Sequence, residues 1–307
     1  MNLIQIFLFF ISSNFYLQAQ TSIFEEGSVT FSKDTVCVKY EFYPNDTLVY
    51  SIQGFDSLST NYEPPLLRNR KEIQMFIVDS VDTNFRYHIS QYLMEYNAIE
   101  NNAEMKNNLV ANHPWVKKKV SFVIDQFGKR YSYSTTDSNT AMVSPGGPFA
   151  PFLFFDLGLY CNQIDINWNV RSNIEVPENG IPFPLFNCMT LYKFREPLDT
   201  MGQKVNRLEL IRTGQGSYEF PHNGKTATIT SITNEFGLLD ISQIDNIPIH
   251  YYVTKEVKVN INQNQGYVIP GYNFYTQYYT LIKYSSPWRT MKFEGFQNAK
   301  LKGKSKK

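Results

Sequence analysis

Along most of this chain, hydrophobic and polar positions alternate with a period of two. Val36, Val38, Tyr40 and Phe42 alternate with Cys37, Lys39, Glu41 and Tyr43. Successive side chains of a strand point to opposite faces, so this run predicts a strand with one apolar face. Pro44-Asn45-Asp46 follows and leads into Leu48–Gln53, which together predict a hairpin. Phe85, Tyr87, Ile89 and Leu93 mark a longer strand, and Val120, Phe122 and Ile124 share one face of another. Asp125-Gln126-Phe127-Gly128 then turns the chain into Arg130–Ser134, a second predicted hairpin. The C-terminal half repeats the habit in Leu191–Arg195, Val205–Arg212, Thr226–Thr233, Leu238–Ile241, Val257–Ile261 and Tyr272–Tyr284.

Helix signals are few. Ala98–Ala111 reads as a short helix or an extended hairpin excursion. Phe149–Tyr160 reads as one or two helical turns, with Pro148 suited to a helix start. Arg171–Pro184, with three prolines and Gly180, reads as a long ordered loop. Gly214-Gln215-Gly216-Ser217 reads as a glycine-rich turn or bulge between two β runs. It lacks the lysine and strand-to-helix setting of a phosphate loop, and the last glycine of a nucleophile elbow. The predicted fold is mostly β: a curved antiparallel sheet, half-barrel-like or a sandwich, covered by one or two short helices.

Composition sharpens this picture. Hydrophobic residues make up 42% of the 307 positions, which fits a folded chain. The 24 Phe, 21 Tyr and 3 Trp favour pleated, half-buried surfaces. With 29 basic and 28 acidic residues the net charge is +1, so the chain lacks the basic excess of a nucleic-acid binder. Five lysines and no acids in Lys300–Lys307 predict a basic disordered tail. The apolar run Leu3–Ile11 is too short to span a bilayer, which takes about 20 residues, and it has the length of a signal-peptide core. Residues 1–19 are therefore expected to be a leader cleaved after Ala19, and residues 20–299 a single β-rich domain without a transmembrane helix. The expected location is periplasmic or extracellular.

Candidate chemistry is sparse. In an oxidising compartment, three cysteines allow at most one pair; Cys161 with Cys188 is the candidate, against three free thiols. His88, His113, His222 and His250 are scattered without metal-ligand spacing, so no metal and no cofactor are expected. Asp125 and Asp240 fall beside glycine-containing turns, where Asp is common on conformational grounds. The densest feature is the aromatic stretch Gly146–Tyr160. Closing the core is the ordinary use of such a cluster. The functional expectation is a plug that shares a concave sheet with a lipid-like ligand through Phe149, Phe152, Phe154, Phe155 and Tyr160.

The stretches V-C-V-K-Y-E-F-Y-P-N-D-T-L-V-Y-S-I, S-F-V-I-D-Q-F-G-K-R-Y-S-Y and L-Y-K-F-R-E-P-L-D-T-M-G-Q-K-V-N-R-L-E-L-I-R-T-G-Q-G resemble uncharacterised exported β-sheet proteins of Bacteroidetes-type bacteria. More loosely, the implied architecture is similar to LolA-like half-barrels, in which a strongly curved antiparallel sheet wraps helical plugs. The functional expectation is an exported, non-enzymatic binding or envelope-associated protein with an apolar ligand. A secreted hydrolase acting on a polymer, and a structural or adhesive surface protein, are the alternatives.

Overall fold

A computed structural model describes residues 35–61, 63–102, 104, 106–136, 145, 151–158, 160–173, 187–222, 225–263, 267–289 and 293–294. The expected leader over residues 1–19, residues 174–184 of the expected loop, Phe149 and the tail over 300–307 lie outside them; Arg171–Asn173, expected in that loop, are strand residues instead.

The described residues form strands β1 (Thr35–Cys37), β2 (Thr47–Thr60), β3 (Leu66–Val81), β4 (Tyr87–Asn101), β5 (Asn108–Val110), β6 (Lys119–Ile124), β7 (Arg130–Thr135), β8 (Cys161–Gln163), β9 (Asn167–Asn173), β10 (Asn187–Thr200), β11 (Gln203–His222), β12 (Lys225–Ser242), β13 (Pro248–Gln263), β14 (Tyr267–Ser285) and β15 (Phe293–Glu294). Thirteen belong to one antiparallel sheet, ordered β7-β6-β4-β3-β2-β14-β13-β12-β11-β10-β9, with β15 on β14 and β5 on β4. The sheet is curved and does not close into a barrel. Register shifts at Ile73/Gln74, Asp240/Ile241 and Leu281/Lys283 bend it, because an extra residue in one strand raises the local twist.

Two meanders build the sheet, β2 to β7 and β9 to β14, joined along the β2–β14 seam. This topology dictates where the cover comes from. The chain leaves the sheet at one edge, β7, and re-enters at the opposite edge, β9. Between them, residues 151–158 lie over the inner face, and β8 pairs with β1 in a separate two-stranded ribbon. Phe154 is fully buried against Tyr40, Phe42, Phe76 and Phe122, with ring centroids 5.0–6.0 Å away. Phe155 packs on Tyr251 at 5.4 Å. The Asp125–Gly128 turn clamps this segment: the Leu157 amide donates to the Phe127 carbonyl. Gly128 has φ +81°, and a Cβ there would meet the Phe155 carbonyl oxygen at 2.1 Å, so only glycine fits.

Several expectations are corrected. No helix occurs among the described residues; Ala98–Asn101 ends β4, Asn108–Val110 is β5, and residues 151–158 are irregular. Residues 38–43 do not pair with β2. Their amides at Val38, Tyr40 and Glu41 donate to Tyr160, Gln126 and Asn246, while Val38, Tyr40 and Phe42 face the core. The alternation there was real, but it specified a face rather than a neighbour. Gly214–Ser217 lies inside the continuous strand β11, opposite Thr230–Thr233, so it is neither turn nor break. Thr226–Thr233 and Leu238–Ile241 merge into β12. Asp240 lies within β12, near its end, and accepts from Arg207 Nε at 2.7 Å and Nη2 at 2.8 Å. Phe85 sits outside β4, exposed, with φ +57°.

The disulfide is Cys37–Cys161, not Cys161–Cys188. The two bonded cysteines are direct register partners on β1 and β8, with Cα atoms 4.0 Å apart. Cys188 lies on β10, opposite Ser172 and Gly214, and not on the ribbon that carries Cys161.

Candidate functional site

Inner-face residues of β2 run Leu48, Tyr50, Ile52, Gly54 and Asp56; on β3 the same phase holds Arg68, Arg70, Glu72, Gln74, Phe76 and Val78. Each strand thus begins or ends apolar and turns charged without changing face. Because pairing is direct, the charges line up across strands. One row of register partners reads Glu100, Arg68, Asp56, Tyr275, Lys255, Glu235, Arg212 and Thr190, from β4 to β10. Signs alternate within each of its charged runs, so neighbours attract rather than repel. This polar belt bounds the main core; beyond it lies a small apolar cluster of Ile229, Val257 and Val259.

Where the belt crosses β4, β3, β2 and β14, a pocket of about 380 Å³ opens on the inner face. Its floor is the Arg70 guanidinium, which donates to both Asp56 oxygens at 2.9 and 3.1 Å and to Glu72. Arg70 lies flat over Gly54: a Cβ there would stand 2.8 Å from Arg70 Cζ. Gln74 donates to Glu72 at 2.7 Å, and Gln91 donates to Gln74 at 2.9 Å. Arg68 donates to Glu100 at 2.6 Å and lies 3.8 Å from Asp56. On the β14 side, Tyr279 donates to Gln277 at 2.7 Å. Tyr96, His113 and Trp115 complete the wall, with Tyr96 and His113 tilted together at 4.6 Å.

Electrostatically the floor is balanced. Burial pushes the Asp56 carboxyl above the usual carboxylate range, opposed by Arg70 and Arg68. Burial lowers the Arg70 guanidinium's affinity for its proton, but Glu72 and Asp56 more than restore it, so it stays charged. Burial depresses His113 to about 4, leaving a neutral imidazole at neutral pH. Its buried Nδ1 has no hydrogen-bond partner among the described residues. Burial also raises the Tyr96 phenol to about 12. Among the described residues, no three His, Cys, Asp or Glu side chains converge as metal ligands.

The residues singled out by aromatic density sit elsewhere. Phe154 and Phe155 are buried in the core, Phe152 is half-buried against it, and Tyr160 is exposed beside Phe127. None of these four lines the pocket. The pocket's own charged residues carry a sequence signal: Asp56, Arg68, Arg70 and Glu72 fall in the same period-two phase as Ile52 and Phe76. A charge in the buried phase needs a partner and a reason.

The fold and pocket define an open, curved antiparallel-sheet protein with a paired-charge site on its inner face. No family model matches the chain, and no curated protein matches it. Among solved structures, the chain is similar to lipovitellin, in a study of lipid–protein interactions, at 13% identity and TM-score 0.44 over 84% of this chain and 27% of that one. It thus spans about a quarter of the lipovitellin chain's length. It is also similar to OccK5 (OpdH) of Pseudomonas aeruginosa, at 6% identity and TM-score 0.22 over 78% of this chain and 98% of that one.

Proposed function

We propose that this is an exported, non-enzymatic binding protein of the cell envelope that holds a small ligand in the inner-face pocket. One observation carries the reading. A concave site of about 380 Å³, within the roughly 300–1,000 Å³ of small-molecule sites, is floored by buried, fully paired charges. Such pairs contribute little net stability compared with apolar packing of similar volume, so their retention in a core position fits a ligand-facing role. A lipid-like occupant of the aromatic segment would have to displace Phe154 from its ring of four aromatic neighbours. The pocket requires no such displacement. Hydrolysis needs a carboxyl that can exchange a proton with substrate, whereas Asp56 and Glu72 both spend oxygens on Arg70.

A fragment screen read by NMR should perturb Tyr96, Trp115 and Tyr275, and Asn273→Trp should abolish those responses by filling the space. Hits confined to the outer face, or no hits, reject the pocket as a binding site. Export is checked separately: the N-terminal residue of the envelope fraction should be Gln20.

A further inference from the structure

The pocket's chemistry also selects among ligand classes, an inference that rests on the binding function proposed above. Its polar side chains are nearly all planar: carboxylates on Asp56 and Glu72, guanidiniums on Arg68 and Arg70, and amides such as Gln277. They offer donors and acceptors in one surface. Two positive and two negative groups face the cavity, and they are bonded to one another or to belt neighbours. The walls contribute rings: Trp115 and Tyr96 are buried, and Tyr275 is partly exposed.

Three ligand classes can be weighed against this lining. A phosphate or carboxylate would bring an extra negative charge to Arg70, which already serves two carboxylates, and would have to break a buried pair to be held. An acyl chain would strip water from carboxylates, guanidiniums and amides without returning a hydrogen bond. A neutral polyhydroxylated molecule incurs neither cost. Each hydroxyl both donates and accepts, so it can meet a carboxylate oxygen on one side and an N–H on the other. Its C–H faces can lie on the ring of Tyr275, a partly exposed wall residue. We infer that the pocket binds a neutral sugar, free or as the end of a glycan.

Calorimetric titration and saturation-transfer NMR on the mature chain test this. The neutral probes are glucose, galactose, N-acetylglucosamine, cellobiose and chitotriose; glucose 6-phosphate and palmitate are the charged and apolar counterparts. At least one neutral sugar should bind saturably, and Asn273→Ala should weaken it ten-fold or more with an unchanged melting temperature. Asn273 is a partly exposed wall residue, so this variant keeps the paired floor. Tighter binding of chitotriose or cellobiose than of single rings identifies a glycan end; equal binding identifies a free sugar. Saturable binding of palmitate or glucose 6-phosphate alone, sensitive to Asn273→Ala, overturns the sugar assignment and leaves the binding function standing. No binding by any probe, with no fragment hits in the pocket, overturns both.

Discussion

Gly54 and Arg70 are register partners on neighbouring strands, and one makes space for the other. A methyl group at position 54 would meet Arg70 Cζ, Nε and Cγ at 2.8–3.0 Å. A free arginine would swing aside, but this one is held at both ends of its guanidinium by Asp56 and Glu72. Gly54→Ala should therefore expel Arg70 from the floor and strand two buried carboxylates. Uncompensated buried charge costs about 3–5 kcal/mol, so urea unfolding should register a loss of that order. A loss below about 1 kcal/mol would show that Arg70 can move freely. His113 sets a second residue-scale expectation. Its folded pKa of about 4 lies below the usual 6.5 because of burial, so the unfolded chain takes up a proton first as pH falls. The stability associated with a neutral His113 is complete above about pH 6.5 and is lost as pH falls toward 4, by roughly 2–3 kcal/mol. The difference in unfolding free energy between wild type and His113→Gln should change by that amount across the window, and a constant difference would show that His113 titrates normally.

At the scale of elements, the segment 151–158 and the strands beneath it behave as one core. Phe154→Ala should cost about 3–5 kcal/mol in unfolding free energy, the range for a large aromatic truncated in a closed interior. A mobile lid would give a cost below about 1 kcal/mol, so denaturant titration separates the two. Several strands were legible in the sequence: Val120–Ile124 and Val257–Ile261 alternate as written, and β6 and β13 contain them, whereas β3 went unread. Their neighbours were not legible. Val36–Phe42 alternates just as cleanly, yet it crosses the inner face instead of pairing with β2, because periodicity names a face and not a partner. Gly214 and Gly216 looked like punctuation, but a glycine inside a paired strand leaves no mark that distinguishes it from one in a turn. The pocket was hidden for a related reason. Arg68, Arg70 and Glu72 carry no motif of their own, and only the register of β2 with β3 places them in the inner phase with Ile52 and Phe76.

For the whole molecule, the open question of any unclosed sheet is what fixes its curvature and keeps its inner face covered. Among the described residues, hydrogen bonding to the cover consists of isolated contacts such as Tyr40 to Gln126 and Leu157 to Phe127. The covalent bond Cys37–Cys161 joins the two ends of that cover, one before β2 and one after residues 151–158. It closes a loop with a sequence separation of 124, enclosing β2 to β7. Chain entropy assigns such a loop a stabilisation of about 4–5 kcal/mol, and loss of native disulfides typically costs about 2–5 kcal/mol. The double variant Cys37→Ser/Cys161→Ser should thus unfold at lower urea by that amount. Hydrogen exchange should rise first at residues 38–43 and 151–158, because the long ladders from β10 to β14 do not depend on the cross-link. Non-reducing peptide mapping provides the direct check. It should recover a Cys37–Cys161 peptide and one thiol per molecule, on Cys188. A Cys161–Cys188 peptide would mean that the cover is tied to β10 instead, and uniform acceleration of exchange would mean that the cover and sheet unfold as one unit.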